Sequence, residues 1–186
     1  MKKLLGVLWI AWLCLAPTVW AATSLQYTLP GTPVTFADSA QTPTRAWTLS
    51  ALANSAGRVS VQHDKGTGAQ PSLWQFVCRV QLTGTNVPGS TVEFYVVPGD
   101  GTDTAGGVGT ADAALASSDK RRNLTFMGVL VADQGTTNVQ MTAVFSNVYI
   151  PSRYYSLAAW NSSGLPLKTD TAAHRCTGTP MPFQMQ

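Results

Sequence analysis

Charged residues are scarce in this chain. They make up 11% of its 186 residues, and Glu93 is the only glutamate. Average soluble domains carry about 25% charged residues. Glu and Lys are strong helix formers, so their scarcity beside many Thr, Val and Gly residues disfavours helices and favours strands joined by tight turns. The composition therefore predicts an all-β protein.

Residues with the usual catalytic or metal-binding chemistry are also few. The chain has two histidines, His63 and His174, far apart in the sequence, whereas a zinc site needs several ligands brought together. It has no Gly-x-Ser-x-Gly elbow of the kind that carries a catalytic serine. Because it has one Glu, the pair of carboxylates that a glycosidase uses would have to come from two Asp. Asp100, Asp103 and Asp112 lie in a Gly-rich stretch, but their spacing fits no EF-hand loop. We predict a non-enzymatic protein with no catalytic, cofactor-binding or metal-binding residues.

Three cysteines allow at most one disulfide in the folded domain. Cys14 belongs to an N-terminal apolar run, which leaves Cys78 and Cys176. In an oxidising compartment these two would form a bridge, which could contribute about 4 kcal/mol because it closes a long loop. Alternatively, Cys78 is a free thiol buried on the apolar face of its strand. Both readings remain open from the sequence.

The chain also lacks the dense positive charge that nucleic-acid binding requires. Its formal net charge is +3, and Lys2 and Lys3 supply two of the twelve Lys and Arg, which leaves ten against nine acidic residues. The one basic run is Lys120, Arg121 and Arg122. We predict no nucleic-acid partner. The triplet is either a solvated turn or a contact with an acidic partner surface.

The N-terminus has the three-part layout of a secretory signal. Lys2 and Lys3 precede an apolar run over 4–16, Pro17 ends the run, and Val19-Trp20-Ala21 fits a cleavage site after Ala21. The run is shorter than the roughly 20 residues of a membrane-spanning helix. Residues 1–21 are therefore predicted to form a signal-like helix, the protein's one membrane contact. An uncleaved interfacial anchor or a wrongly assigned start are the alternatives.

The rest of the chain divides into an irregular arm over 22–45, with one short strand at 34–36, and a β domain over 46–186. The clearest strand is 73–82, whose alternate residues are apolar. We predict that it forms a hairpin with 91–97, that 99–118 is a long loop, and that 123–132 is a central strand. Residues 46–53 read equally as a strand or a helical turn. Further strands are predicted at 58–63, 140–145 and 154–161, which brings the total to eight or nine, typical of an antiparallel β-sandwich or small barrel.

Four segments of the chain resemble a known class of proteins: SLWQFVCRVQL, TVEFYVVPGDGT, NLTFMGVLVAD and IPSRYYSLAAWNSSGLPL. Over residues 49–180 the chain is similar to small virion structural proteins of tailed phages, the capsid decoration or cement proteins. The resemblance implies a jelly-roll-like β-sandwich, a homo-oligomer, and a protein located in the virion that binds capsid or tail proteins. It implies no active site and no cofactor.

Candidate interface residues under that resemblance are Lys120, Arg121, Arg122, Arg153 and Tyr155. The signal-like segment departs from the family, because phage shell proteins assemble in the cytoplasm. It favours an alternative, an exported adhesion or carbohydrate-binding β-sandwich that is secreted or periplasmic after cleavage.

Overall fold

The computed structural model describes residues 31–181 apart from 69, 116, 134 and 139. The predicted signal segment 1–21, its cleavage site at Ala21 and the first part of the arm lie outside these residues. In the part of the chain that the structure describes, no helix is long and apolar enough to cross a membrane.

Strands dominate the described residues, which confirms the all-β prediction. Short 3₁₀ turns occur at Ser39–Gln41, Ser118–Asn123 and Thr171–Ala173. The described part of the chain contains eleven strands: β1 (Val34–Ala37), β2 (Arg45–Ala46), β3 (Ala56–Val59), β4 (His63–Asp64), β5 (Leu73–Gln81), β6 (Thr91–Gly99), β7 (Ala113–Leu115), β8 (Thr125–Val131), β9 (Gln140–Tyr149), β10 (Tyr154–Ser162) and β11 (Arg175–Pro180).

The strands form two sheets. The first sheet has the order β2-β1-β11-β5-β9, and the second has the order β7-β3-β10-β6-β8, with β4 pairing the start of β10. All pairings are antiparallel except that of β1 with β2. The predicted short strand at 34–36 is β1, which pairs with β11, so the arm belongs to the first sheet from residue 34 onward.

The two sheets share one hydrophobic core, as expected for a sandwich. Strict alternation in β5 buries Trp74, Phe76, Cys78 and Val80 and leaves the residues between them more exposed. The same core contains residues from both sheets, among them Phe36, Trp47, Phe76, Phe94, Phe145, Tyr155 and Leu157.

A second, smaller core lies on the other face of the second sheet. Tyr95 and Val97 alternate with the core residues Phe94 and Val96 along β6, so they point away from the first sheet. They pack with residues of β3 and β10 and with two residues of the 100–124 segment, namely Val59, Leu115, Leu124, Ala158 and Trp160. The predicted loop 99–118 therefore covers this face and contributes β7. Strand β10 is consequently buried on both faces.

Two predicted strand positions are wrong. Strands β5 and β6 do not form a hairpin, because β5 lies in the first sheet and β6 in the second. The 123–132 segment is not central either: β8 is the last strand of the second sheet. The central position belongs to β10, which pairs with β3 and β6.

Candidate protein-protein interface

Exposed large hydrophobic side chains are concentrated at one edge of the molecule. Five of the seven in the described residues lie on β8 or β9, and a sixth, Val77, is directly opposite Val144 of β9. The seven are Val77, Val87, Phe126, Val129, Val131, Val144 and Tyr149. Because their sequence neighbours Phe76, Phe145 and Leu130 point into the shared core, the side chains of β5 and β9 and those of β8 lie on the two opposite outer faces that flank this edge. Exposed apolar side chains grouped in this way make the edge a candidate interaction surface.

Strands β8 and β9 are the last strands of their respective sheets, and together we call them the open edge. Neither strand contains a charged residue or a proline. Natural proteins ordinarily protect edge strands with charges, prolines or a covering segment, because unpaired N–H and C=O groups invite another strand. An uncharged edge with exposed apolar side chains is therefore a candidate contact surface.

The exposed large hydrophobic side chains of β8 form what we call the apolar strip: Phe126, Val129 and Val131. They lie on the face opposite Leu130, which points into the core. A β-bulge in β8 places Phe126 opposite Tyr95, with the two rings 5.6 Å apart and nearly perpendicular. On the inner face Gly128 lies directly against the ring of Phe145, where a larger residue would clash.

A groove runs between the two edge strands at the start of β8. Its volume is about 330 Å³, and its walls include Phe126, Met127, Tyr149 and Pro151. The groove adds a concave, apolar part to the open edge.

The basic triplet lies beside the apolar strip, but its members have different roles. Arg121 is part of the fold: its Nη1 atom is 2.6 Å from Oε2 of Glu93, and its guanidinium lies 4.4 Å from the ring centre of Trp160. Arg122 is a surface residue, with 84% of its side chain exposed and a loose 3.8 Å contact to Asp119. Lys120 is partly exposed in the same 3₁₀ turn.

Glu93 also accepts a hydrogen bond from the hydroxyl of Tyr95. Burial, together with this carboxylate, raises the pKa of Tyr95 to about 12. The phenol therefore stays protonated and keeps donating across the ordinary pH range. The resulting Tyr95–Glu93–Arg121 chain anchors the 3₁₀ turn onto the second sheet.

The structure does not bring Arg153 together with the basic triplet. Arg153 immediately precedes β10, whereas Arg121 packs over Trp160 near the other end of that strand. Arg153 forms a two-pronged pair with Asp64, with both N–O distances 2.8 Å. This pair, with the Gly66 amide, lowers the pKa of Asp64 to about 2.

Tyr155 is wrong as an interface residue. It is fully buried, and its ring lies in the core between the sheets, next to Phe36, His63 and Trp74. Its sequence neighbours Arg153 and Tyr154 are more exposed. Three adjacent residues of similar surface character therefore differ in burial, and the sequence alone does not show which of them faces the core.

Cys78 and Cys176 are joined by a disulfide in the structure. They are directly opposite each other on β5 and β11, and both are buried. Their separation of 98 residues makes the bridge a link between distant parts of the chain.

Two of the three acidic residues in the Gly-rich stretch, Asp100 and Asp112, form contacts within the fold. Asp100 accepts hydrogen bonds from the amides of Thr102 and Asp103, which shapes its own turn. Asp112 pairs with Arg58 at 2.6 Å. Across residues 31–181, leaving out the four undescribed positions, no group of three His, Cys, Asp or Glu residues is placed to hold a metal ion.

Both histidines are held neutral. Burial, aided by the positive charge of Arg45, lowers the pKa of His63 to about 4. Burial also lowers the pKa of His174, whose Nδ1 accepts from the Gln81 amide while Nε2 donates to the Lys168 carbonyl. Protonation of His174 would remove that acceptor.

We expect the protein to lose stability as the pH falls from about 6.5 toward 4. Over this range the unfolded chain binds protons at the histidines more readily than the folded chain, in which the pKa values of both His63 and His174 are lowered, so unfolding is favoured as the pH falls. For the half-buried His63, solvent screening leaves a loss of about 1 to 2 kcal/mol. Urea unfolding between pH 7.5 and 4 measures the slope. His63→Gln should flatten it, whereas Asp119→Asn, at an exposed site, should not; an unchanged slope in His63→Gln would contradict the assignment.

The open edge could not be located from the sequence. The uncharged composition of β8 is visible there, but its continuous apolar run predicts a central strand, because the sequence does not reveal which strands lie beside it. Comparison with known proteins finds no matching family model, no matching curated protein and no matching solved structure.

Proposed function

We propose that this is a non-enzymatic structural protein of a tailed-phage virion, which decorates or cements the capsid, or the tail, through protein contacts made by the open edge. The observation that carries the proposal is the pair of uncharged edge strands β8 and β9 with their exposed apolar side chains. A specific interface needs only about 800 Å² from each partner, which an edge of this kind can supply.

The strand order supports a jelly-roll arrangement as part of this proposal. Leaving aside the two- and three-residue strands β2, β4 and β7, eight strands remain. Numbered one to eight along the chain, they lie in the orders 1-8-3-6 and 2-7-4-5 in the two sheets. These orders, in which all consecutive strands except the fourth and fifth lie in different sheets, favour a jelly roll, a fold used by viral capsid proteins and by lectins.

Mass spectrometry of purified virions of the encoding phage tests the proposal. We expect peptides from 31–181 in amounts stoichiometric with the capsid or tail proteins. Virions that lack these peptides, although the protein is made during infection, would overturn it. A variant with Val144→Glu and Val129→Glu should fold and yet be absent from the particles, because it places charges on the open edge.

The second candidate is an exported adhesion or carbohydrate-binding module, and the disulfide favours it. Disulfides persist mainly in oxidising compartments, and the signal-like segment 1–21 predicts export to such a compartment. Lectins also use jelly rolls. A periplasmic or secreted fraction containing a mature N-terminus at Ala22, together with binding on a glycan array, would establish this candidate in place of the virion function.

A further inference from the structure

We propose that the first occupant of the open edge is a second copy of this chain, which pairs antiparallel with β8 about a two-fold axis next to Val129. The second sheets of the two copies would then form one continuous sheet. This inference deepens the proposed function and rests on it, since it names the partner that the open edge accepts first.

Strand β8 is the better half of the edge for strand pairing. Among the described strands it pairs with β6 alone, so its other side has no strand neighbour. Its bulge lies near its start, which leaves 128–131 in regular extension. The regular first half of β9 exposes the polar Gln140 and Thr142 beside Val144, and its second half is interrupted where Asn147 has a positive φ of 58° and the register with β5 shifts. Bulges of that kind are one way in which proteins discourage pairing at an edge.

A two-fold axis next to Val129 matches the apolar strip with itself. Opposite residues of an antiparallel pair lie on the same face of the sheet. Val129 of one copy therefore meets Val129 of the other. The bulge adds one residue to β8, so Val131 of each copy lies opposite Phe126 of the other copy. Each side chain of the apolar strip then contacts a side chain of the strip in the other copy, and no charged residue lies between the two strands.

The charges flanking β8 agree with this arrangement. Arg122 lies three positions before the strand and Asp133 two positions after it, and both are exposed. Antiparallel pairing places the start of one β8 beside the end of the other, so Arg122 of each copy lies near Asp133 of the second copy. Within the described part of the chain Asp133 takes part in no ion pair, and Arg122 has only its loose contact to Asp119. A parallel arrangement would place like charges together instead.

The oligomeric state of the isolated protein tests the inference. We expect sedimentation equilibrium to show a dimer with a dissociation constant in the micromolar range or tighter. Val129→Glu should weaken the dimer by about tenfold or more, because it removes the apolar Val129 pair and places two negative charges directly opposite each other at the axis. Val144→Glu is the matched control, an equally simple change at an exposed valine of β9, and should leave the dimer intact. Circular dichroism establishes that both variants fold.

A cross-link tests the position of the axis. In a Cys14→Ser background, the Val129→Cys variant should oxidise to a covalent dimer, since opposite residues in an antiparallel pair lie within disulfide range. Val144→Cys in the same background should not. Charge reversal supplies a third test: Arg122→Asp or Asp133→Arg alone should weaken the dimer about tenfold, and the double variant should restore it.

A monomer at all concentrations, or a dimer abolished by Val144→Glu and indifferent to Val129→Glu, would overturn the inference. These outcomes are distinct from a failure of the proposed function. A monomeric protein found in virions would retain the virion role and lose the homotypic pairing. A dimer that is absent from virions would retain the pairing and lose the role.

Discussion

Replacing both Cys78 and Cys176 with alanine lowers the free energy of unfolding by about 4 to 5 kcal/mol, the amount expected for a bridge that closes a loop of roughly 100 residues. The disulfide links β5 to β11 across 98 residues of chain. Without it the unfolded chain gains conformational freedom, whereas the folded state retains its sheet hydrogen bonds. Denaturant unfolding of the variant and of the wild-type protein, each with and without reductant, measures the difference.

The neighbouring register pair provides the control for this experiment. Val77 and Thr177 are opposite each other on the same two strands, one position away from the disulfide. Alanine at both should cost about 1 kcal/mol or less, since Val77 is exposed. Reduced wild-type protein retains the two sulfur atoms, so it separates the effect of the bridge from that of packing. A loss below about 2 kcal/mol on reduction would contradict the entropic role of the bridge.

Asn161→Asp should destabilise the fold by about 3 to 5 kcal/mol, although the side chain keeps its size. The Asn161 amide is fully buried, and its nitrogen donates to the carbonyl oxygens of Leu52, Ala53 and Leu165 at 2.8 to 3.2 Å. Its oxygen accepts from the amide and hydroxyl of Ser163. A carboxylate cannot donate, so three carbonyl oxygens would face a buried negative charge.

Thermal and urea unfolding measure this loss, and its pH dependence identifies the cause. The deficit should shrink at acidic pH, because a protonated carboxyl group can donate one hydrogen bond. Asn54→Asp is the matched control: Asn54 is exposed and uses only its oxygen, which accepts from the Gly164 amide at 2.8 Å. It should change stability by less than about 0.5 kcal/mol. Equal losses in the two variants would show that the donor network around Asn161 is not the source of the effect.

Local features of the fold could be predicted because they depend on neighbouring residues. The alternation of Trp74, Phe76, Cys78 and Val80 specified an extended strand with one buried face wherever that strand lies. The scarcity of helix-forming residues excluded α-helices in the same way. Turn residues such as those between 83 and 90 marked where strands end, but not which strand follows in space.

Features that depend on distant residues could not be predicted. The 83–90 connection crosses from one sheet to the other, so β5 and β6 are consecutive in sequence and separate in the fold. The apolar run of β8 has the composition of a central strand, yet its outer face is exposed because the 100–124 segment covers β3, β10 and β6 and stops short of it.

The candidate interface shows the same contrast between features set by neighbouring residues and features set by distant ones. The sequence presents the basic triplet as three adjacent charges of equal standing. In the fold Arg121 is held by Glu93 and Trp160, which are 28 and 39 positions away, whereas Arg122 is largely exposed and Lys120 partly exposed. Tyr155 looked like a surface aromatic and is a core residue, since both faces of β10 are covered.

Composition and local residue patterns were enough to predict that this protein is built from strands, which side chains of β5 face the core, and that the chain carries no common catalytic or metal-binding motif. Those properties follow from composition and from a two-residue period, which act over short distances. Three other properties are visible only in the folded chain: which strands are edges, the pairing of Cys78 with Cys176, and the position of the uncharged β8 run at the surface. These depend on pairing between residues up to about a hundred positions apart, and the free energy that selects one pairing over another is shared across the whole core.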